Sequence, residues 1–244
     1  MKAAPLLVGC LWASIATPAP LNAYQGTQGV GTIMVAPGAT VSTDGTIEPA
    51  TAFAGALGRK GDINLGIGAA GSMEGGPWTA GLDLMPRFFP VESLGFGAHL
   101  AFDGSGVGLG PEVHHIFERN AFSLTTNLGW MTTVGQPADS GELFLFVSPE
   151  VAVNDRFGVF VEVNPVVPLG VPTESVVSFI PGVSANFGHD GSTSATLGVS
   201  VPAQKNPTVS VGATLTMNFG ASARVATAET GGSPDTIGWT VGAK

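Results

Sequence analysis

From Val30 to Phe219 the side chains alternate with a period of two. The clearest segment puts Leu94, Phe96, Ala98, Leu100 and Phe102 on one parity and Gly95, Gly97, His99, Ala101 and Asp103 on the other. Near the end of this region, Val209, Val211, Ala213, Leu215, Met217 and Phe219 alternate with Ser210, Gly212, Thr214, Thr216 and Asn218. Between them, Phe122, Leu124, Thr126, Leu128 and Trp130 alternate with Ser123, Thr125, Asn127 and Gly129. Successive side chains of a strand point to opposite faces, so each segment is a strand with one apolar face and one small or polar face. Twelve strands are expected, near residues 29–36, 49–57, 61–71, 77–88, 94–103, 107–117, 121–132, 142–153, 156–166, 175–187, 193–201 and 208–219. Ten is the second choice.

Connection lengths support an up-and-down order. Short links fall at Arg59-Lys60, Phe89 to Ser93, Glu118-Arg119-Asn120, Asn154-Asp155 and Gly188 to Ser192. Longer ones fall at Pro37 to Glu48, Thr133 to Gly141 and Val167 to Glu174, although Asp103 to Gly106 is as tight as any short link. Short turns on one side and longer loops on the other are the habit of transmembrane barrels, with the short turns periplasmic.

Composition decides what solvates the apolar face. Charged residues are 11% of the chain, hydrophobic residues 44%, and the mean hydropathy is +0.34. Soluble domains carry about 25% charged residues. Beyond residue 16 no run approaches the roughly 20 apolar residues of a spanning helix, whereas 36 Gly and 18 Pro suit strands and turns. A bilayer admits helices or closed barrels, because every backbone polar group in hydrocarbon needs an internal partner. The fold expected is therefore all-β, a transmembrane antiparallel up-and-down barrel. The alternative is a soluble secreted β-sandwich that binds a ligand. It would need charge on its outer face, and here the non-apolar parity is mainly Gly, Ser, Thr and Asn.

Three regions follow: a signal peptide over 1–23, the barrel over 24–219 and a flexible tail over 220–244. Lys2 precedes the apolar stretch Ala3 to Ala16, which Thr17, Pro18 and Pro20 interrupt. Cleavage is expected after Ala23, with Ala16 as competitor. Leu7-Val8-Gly9-Cys10 resembles a lipobox, but its apolar lead is short and apolar residues continue past Cys10. Cleavage removes the sole cysteine, leaving no disulfide or thiolate site. It also removes Lys2, making the formal net charge one unit more negative than −9. Nucleic acid is not expected as a partner, since phosphate contacts need clustered Lys and Arg.

On this pattern the chain resembles the broad class of Gram-negative outer-membrane β-barrel proteins. The likeness covers residues 29–219 and includes no catalytic or binding motif. It implies a place in the outer membrane, with lipid and the barrel-assembly machinery as partners. The segment Val209 to Phe219 is similar to the C-terminal strand that this machinery recognises. Residues 220–244 then depart from the usual aromatic chain end.

Strand parity sends one set of ionisable and amide side chains inward. These are Asp62, Asp83, Arg87, His99, Asp103, Glu112, His114, Glu150 and Glu162, with Asn64, Asn127 and Asn164. Lipid-facing Arg or Lys at midplane would cost about 2–4 kcal/mol, so the interior is where such groups belong. They are expected to line a narrow or occluded acidic lumen, which favours cations if open. Passive permeation or envelope architecture follows as the function. His99, Glu112 and His114 lie on neighbouring strands and could be weighed as metal ligands, but lumenal hydrogen bonding is the preferred reading and no metal or cofactor is expected. An outer-membrane enzyme is the third reading, with His115 on the outer parity. The strand after it offers no serine on that face, and no catalytic residue is assigned. Gly66-Ile67-Gly68, Gly95-Phe96-Gly97 and Gly108-Leu109-Gly110 lack the third glycine and helix of a phosphate loop. Trp78, Trp130 and the pair Phe88-Phe89 are candidates for aromatic girdles.

Overall fold

The computed structural model describes residues 32–220, apart from 58–59, 92, 105, 138–139 and 188–192. Twelve strands follow in chain order: β1 (Thr32–Ser42), β2 (Thr46–Ala56), β3 (Gly61–Ser72), β4 (Thr79–Val91), β5 (Leu94–Asp103), β6 (Gly106–Arg119), β7 (Phe122–Thr133), β8 (Glu142–Ala152), β9 (Phe157–Pro168), β10 (Val176–Phe187), β11 (Thr193–Pro202) and β12 (Ser210–Gly220). Each pairs antiparallel with its chain neighbours, and β12 returns to pair with β1. The sheet is a closed barrel of twelve strands, which removes the ten-strand option.

Closure follows from the parity. A sheet apolar on one face can bury that face only in lipid if the other face is turned inward on itself, and closing it leaves no unpaired edge. Along β6, Gly108, Gly110, Glu112 and His114 are buried, while Leu109, Pro111, Val113 and His115 are exposed. Exposed large apolar residues occur all around the outside, including Ile33 on β1, Ile67 on β3, Phe96 on β5, Leu128 on β7, Val159 on β9 and Leu197 on β11. A soluble protein tolerates apolar patches of a few hundred Å². An apolar belt on every strand overturns the soluble sandwich. No helix among the described residues is long and apolar enough to cross a membrane.

The register sets the size. Carrying one position through all twelve pairings returns it 14 residues further along β1. With a rise of about 3.3 Å per residue and strands about 4.8 Å apart, this stagger gives a tilt of about 40° and a backbone radius of about 12 Å. A cylinder that wide has room for a passage, and its inward side chains decide whether one exists.

Three sequence expectations need correction. Residues 37–48 are not a long loop. β1 runs to Ser42 and β2 starts at Thr46, leaving a three-residue turn closed by Gly45 at φ 84° and by Thr46 N–H donating to Asp44 Oδ1. Pro37, placed in that loop, and Pro49, placed at a strand start, each lie inside a strand on its outward parity. The short link placed at Phe89 to Ser93 is tighter than expected, because β4 extends to Val91 and β5 starts at Leu94. Phe88 is exposed but Phe89 is 3% exposed and lies inside, so the two rings do not share a girdle. The signal peptide and the tail beyond Gly220 lie outside the described residues.

Candidate functional site in the barrel interior

β3 and β4 pair so that Asp62 stands opposite Arg87, because both parities point inward at that level. The guanidinium donates from Nε to Asp62 Oδ1 and from Nη2 to Asp62 Oδ2, each at 2.8 Å. This parallel fork is the strongest geometry for the pair. With the Asn64 amide turned so that its oxygen faces Arg87, that oxygen also accepts from Nη2 at 2.6 Å and Nε at 2.8 Å. Both charged side chains are fully buried.

A second chain of contacts runs from β4 to β6. His99 Nδ1 lies 2.9 Å from Asp83 Oδ2, and its Nε2 meets Glu112 Oε2. His114 Nδ1 is 3.6 Å from the other oxygen of Glu112, and His114 stands opposite Asn127 across the β6–β7 seam. Gly97 joins the two clusters. It sits between Arg87 and Glu112 in the register, and a Cβ there would come within 3.1 Å of Arg87 Cγ and 3.2 Å of His114 Nε2. The missing side chain is what lets the two groups meet over β5.

Several inward aromatic rings pack over glycines of a neighbouring strand. Phe144 covers Gly129 on β7, Phe160 covers Gly182 on β10 and Phe89 covers Gly95 on β5; a Cβ on any of these glycines would strike the ring. Arg87 sits 5.5 Å from the Phe89 ring centre, and His99 meets Phe144 edge-on at 5.8 Å. On the outward parity, Trp78 stacks on Gly71 near the end of β3.

The remaining inward acids stand apart. Glu162 accepts from Asn164 Nδ2 at 2.6 Å, and Glu150 accepts from Ser184 Oγ at 2.5 Å by passing over Gly158. Asp103 is half-buried at the end of β5, where its Oδ1 accepts from Gly106 N–H. Facing the charged wall, the inner sides of β10 to β12 and β1 carry uncharged groups, among them Ser184, Thr196, Thr214 and Thr40.

Of the residues singled out by parity, Asp62, Asp83, Arg87, His99, Glu112, His114, Asn127 and Glu162 are buried, and Asp103 and Glu150 are half-buried. The reading missed Glu48 and Glu142. Both share the inward parity of their strands, but Glu48 was assigned to a loop and Glu142 to a strand start. It also left out the inward Phe89, Phe144, Phe146 and Phe160, because it tracked polar groups alone. No group of three or more His, Cys, Asp or Glu among the described residues could hold a metal ion.

No family model and no curated protein matches the chain. Solved structures do. A KdgM porin superposes with a TM-score of 0.60 over 76% of this chain and 99% of its own, at 8% identity. The KdgM porin in complex with disordered oligogalacturonate gives 0.58 over the same shares, also at 8% identity. An outer membrane channel from Pseudomonas putida F1 gives 0.55 over 83% of this chain and 99% of its own, at 9% identity. The fold is that of outer-membrane porins and channels.

Proposed function

We propose that this chain is an outer-membrane barrel for passive permeation of small solutes, with a narrow acidic lumen that favours cations over anions. The charge balance of the inward side chains supports this reading most directly. Asp62, Asp83, Asp103, Glu112, Glu150 and Glu162 face in, and Glu48 and Glu142 add two more at strand ends. Among the described strands, Arg87 is the single inward Lys or Arg, and Asp62 already holds it in a fork. Carboxylates along a low-dielectric passage lower the barrier for cations and raise it for anions. A polyacidic sugar such as the oligogalacturonate of the KdgM porin complex would meet repulsion here.

Narrowness rests on burial. Asp62, His114 and Glu162 are 0% exposed, and Glu112 is 4%. Side chains lining a wide, water-filled tube would be wetted on their inner sides.

Reversal potentials in a planar bilayer under a salt gradient test the reading. The expected sign is cation preference, weakening in high salt as charges are screened and weakening again as acid protonates the carboxylates. Anion preference would refute the acidic lumen. A folded barrel with no conductance would favour an architectural role.

A further inference from the structure

The outward face of the barrel is almost free of ionisable side chains. On the lipid-facing parity of the twelve described strands, only β6 carries any, His115 and Arg119. Both are exposed. Thr126 of β7 stands directly opposite His115 across the β6–β7 seam, and it too has the outward parity. The other eleven strands avoid such groups, because a charge on the lipid face is costly in mid-membrane and cheap only near an interface. Closing the barrel does not require His115 or Arg119, so their gathering on one strand points to a local partner.

Depth decides what that partner is. β6 ends at Arg119, and β7 starts at Phe122 after a two-residue link. Links at this end of the barrel span at most five residues, whereas those at the other end reach eight, so this end is periplasmic. Exposed phenylalanines ring it within three residues of the strand ends, among them Phe88, Phe96, Phe117, Phe122, Phe187 and Phe219. Such a girdle marks the level where hydrocarbon gives way to headgroups.

Along β6, His115 lies two residues to the hydrocarbon side of Phe117, and Arg119 lies two residues to the water side. With a rise of about 3.3 Å per residue and a tilt of about 40°, each step of two residues is about 5 Å along the barrel axis. The rings of Phe117 and Phe122 stand between the two levels, their centres 6.4 Å apart across the seam. Beyond His115 and Thr126 the next outward pair is Val113 and Leu128, both exposed. Going inward from the periplasm, the outer face of β6 and β7 therefore presents a cation, a pair of aromatic rings, two hydrogen-bond donors and then apolar surface. Glu118, the neighbouring acid on β6, has the inward parity.

We infer that this face binds one glycerophospholipid of the periplasmic leaflet. Such a lipid carries its phosphate in the headgroup layer, its ester carbonyls at the edge of the hydrocarbon, and its acyl chains below. The order matches that of the side chains. Arg119 donates to the phosphate oxygens, in a charge-assisted bond. The His115 ring always carries an N–H and Thr126 an O–H, and these donate to the ester carbonyls. The two rings cover the glycerol, and the chains run over Val113 and Leu128. The site lies outside the barrel and does not depend on what passes through the interior.

The test uses the full-length chain extracted from outer membranes in dodecyl maltoside, with the heat-dependent gel shift confirming that each variant is folded. Native mass spectrometry counts bound dioleoyl phosphatidylglycerol across a titration. A first lipid should bind at least tenfold more tightly than the next. Arg119→Gln should weaken that first binding at least fivefold, whereas Arg156→Gln, in the β8–β9 link at the same end, should leave it unchanged. The ether-linked analogue keeps the phosphate but has no ester carbonyls, so the parent should bind it at least threefold less tightly than the ester lipid. His115→Leu with Thr126→Val should bind the two lipids equally, and inorganic phosphate should displace neither. Lipids bound with no preferred first site, equal losses in Arg119→Gln and Arg156→Gln, or displacement by inorganic phosphate would overturn the site. Equal binding of ester and ether lipids by the parent would overturn it too, and that comparison needs no substitution should a variant fail to fold.

Discussion

Replacing Arg87 by Leu asks whether the charged interior is dry. The guanidinium holds Asp62 through two bonds of 2.8 Å, and both side chains are fully buried. Removing one member of a buried pair leaves a bare charge and costs about 3–5 kcal/mol. Asn64 can turn its amide N–H toward Asp62 and recover part of this, about 1 kcal/mol for one hydrogen bond. The expected net loss for Arg87→Leu is therefore about 2–4 kcal/mol. Adding Asp62→Leu removes the stranded carboxylate, so the double variant should lie within about 1 kcal/mol of the parent, since apolar replacement of a whole buried pair is often neutral. Equilibrium unfolding in urea, in detergent micelles, with the heat-dependent gel shift as a second probe, gives the cycle. If Arg87→Leu alone costs less than about 1 kcal/mol, water reaches Asp62 and the burial argument for a narrow lumen fails.

Two further outcomes bear on packing and closure. Gly129→Val should displace the Phe144 ring that lies across it, losing about 1–3 kcal/mol by overpacking. Gly129→Val with Phe144→Ala should regain part of that in the same unfolding assay, and an additive loss would mean that the ring and the glycine are not coupled. Ending the chain after Gly220 should leave a barrel with a normal gel shift, because the β12–β1 seam is already paired from Ser42–Ser210 to Thr32–Gly220. Failure of the shortened chain to insert would place part of the assembly signal in residues 221–244.

The alternation of apolar and polar side chains determined most of the architecture. Period two fixed strands, the low charge fixed lipid as the solvent, and the two together required a closed barrel. Strand number came from counting segments, and inward side chains came from parity alone, because parity is local and survives any error in register. Where the reading slipped, a local signal pointed the wrong way. Pro37 looked like the start of a loop, but in a tilted barrel wall a proline is tolerated wherever its ring faces lipid and its one lost bond falls in a single seam.

The tertiary structure decided what meets what. Asp62 faces Arg87, and His99 lies between Asp83 and Glu112, because of the β3–β6 registers. A slip of two residues would keep every parity and break every pair. The 14-residue stagger, and with it the radius, sums all twelve registers and belongs to no single segment.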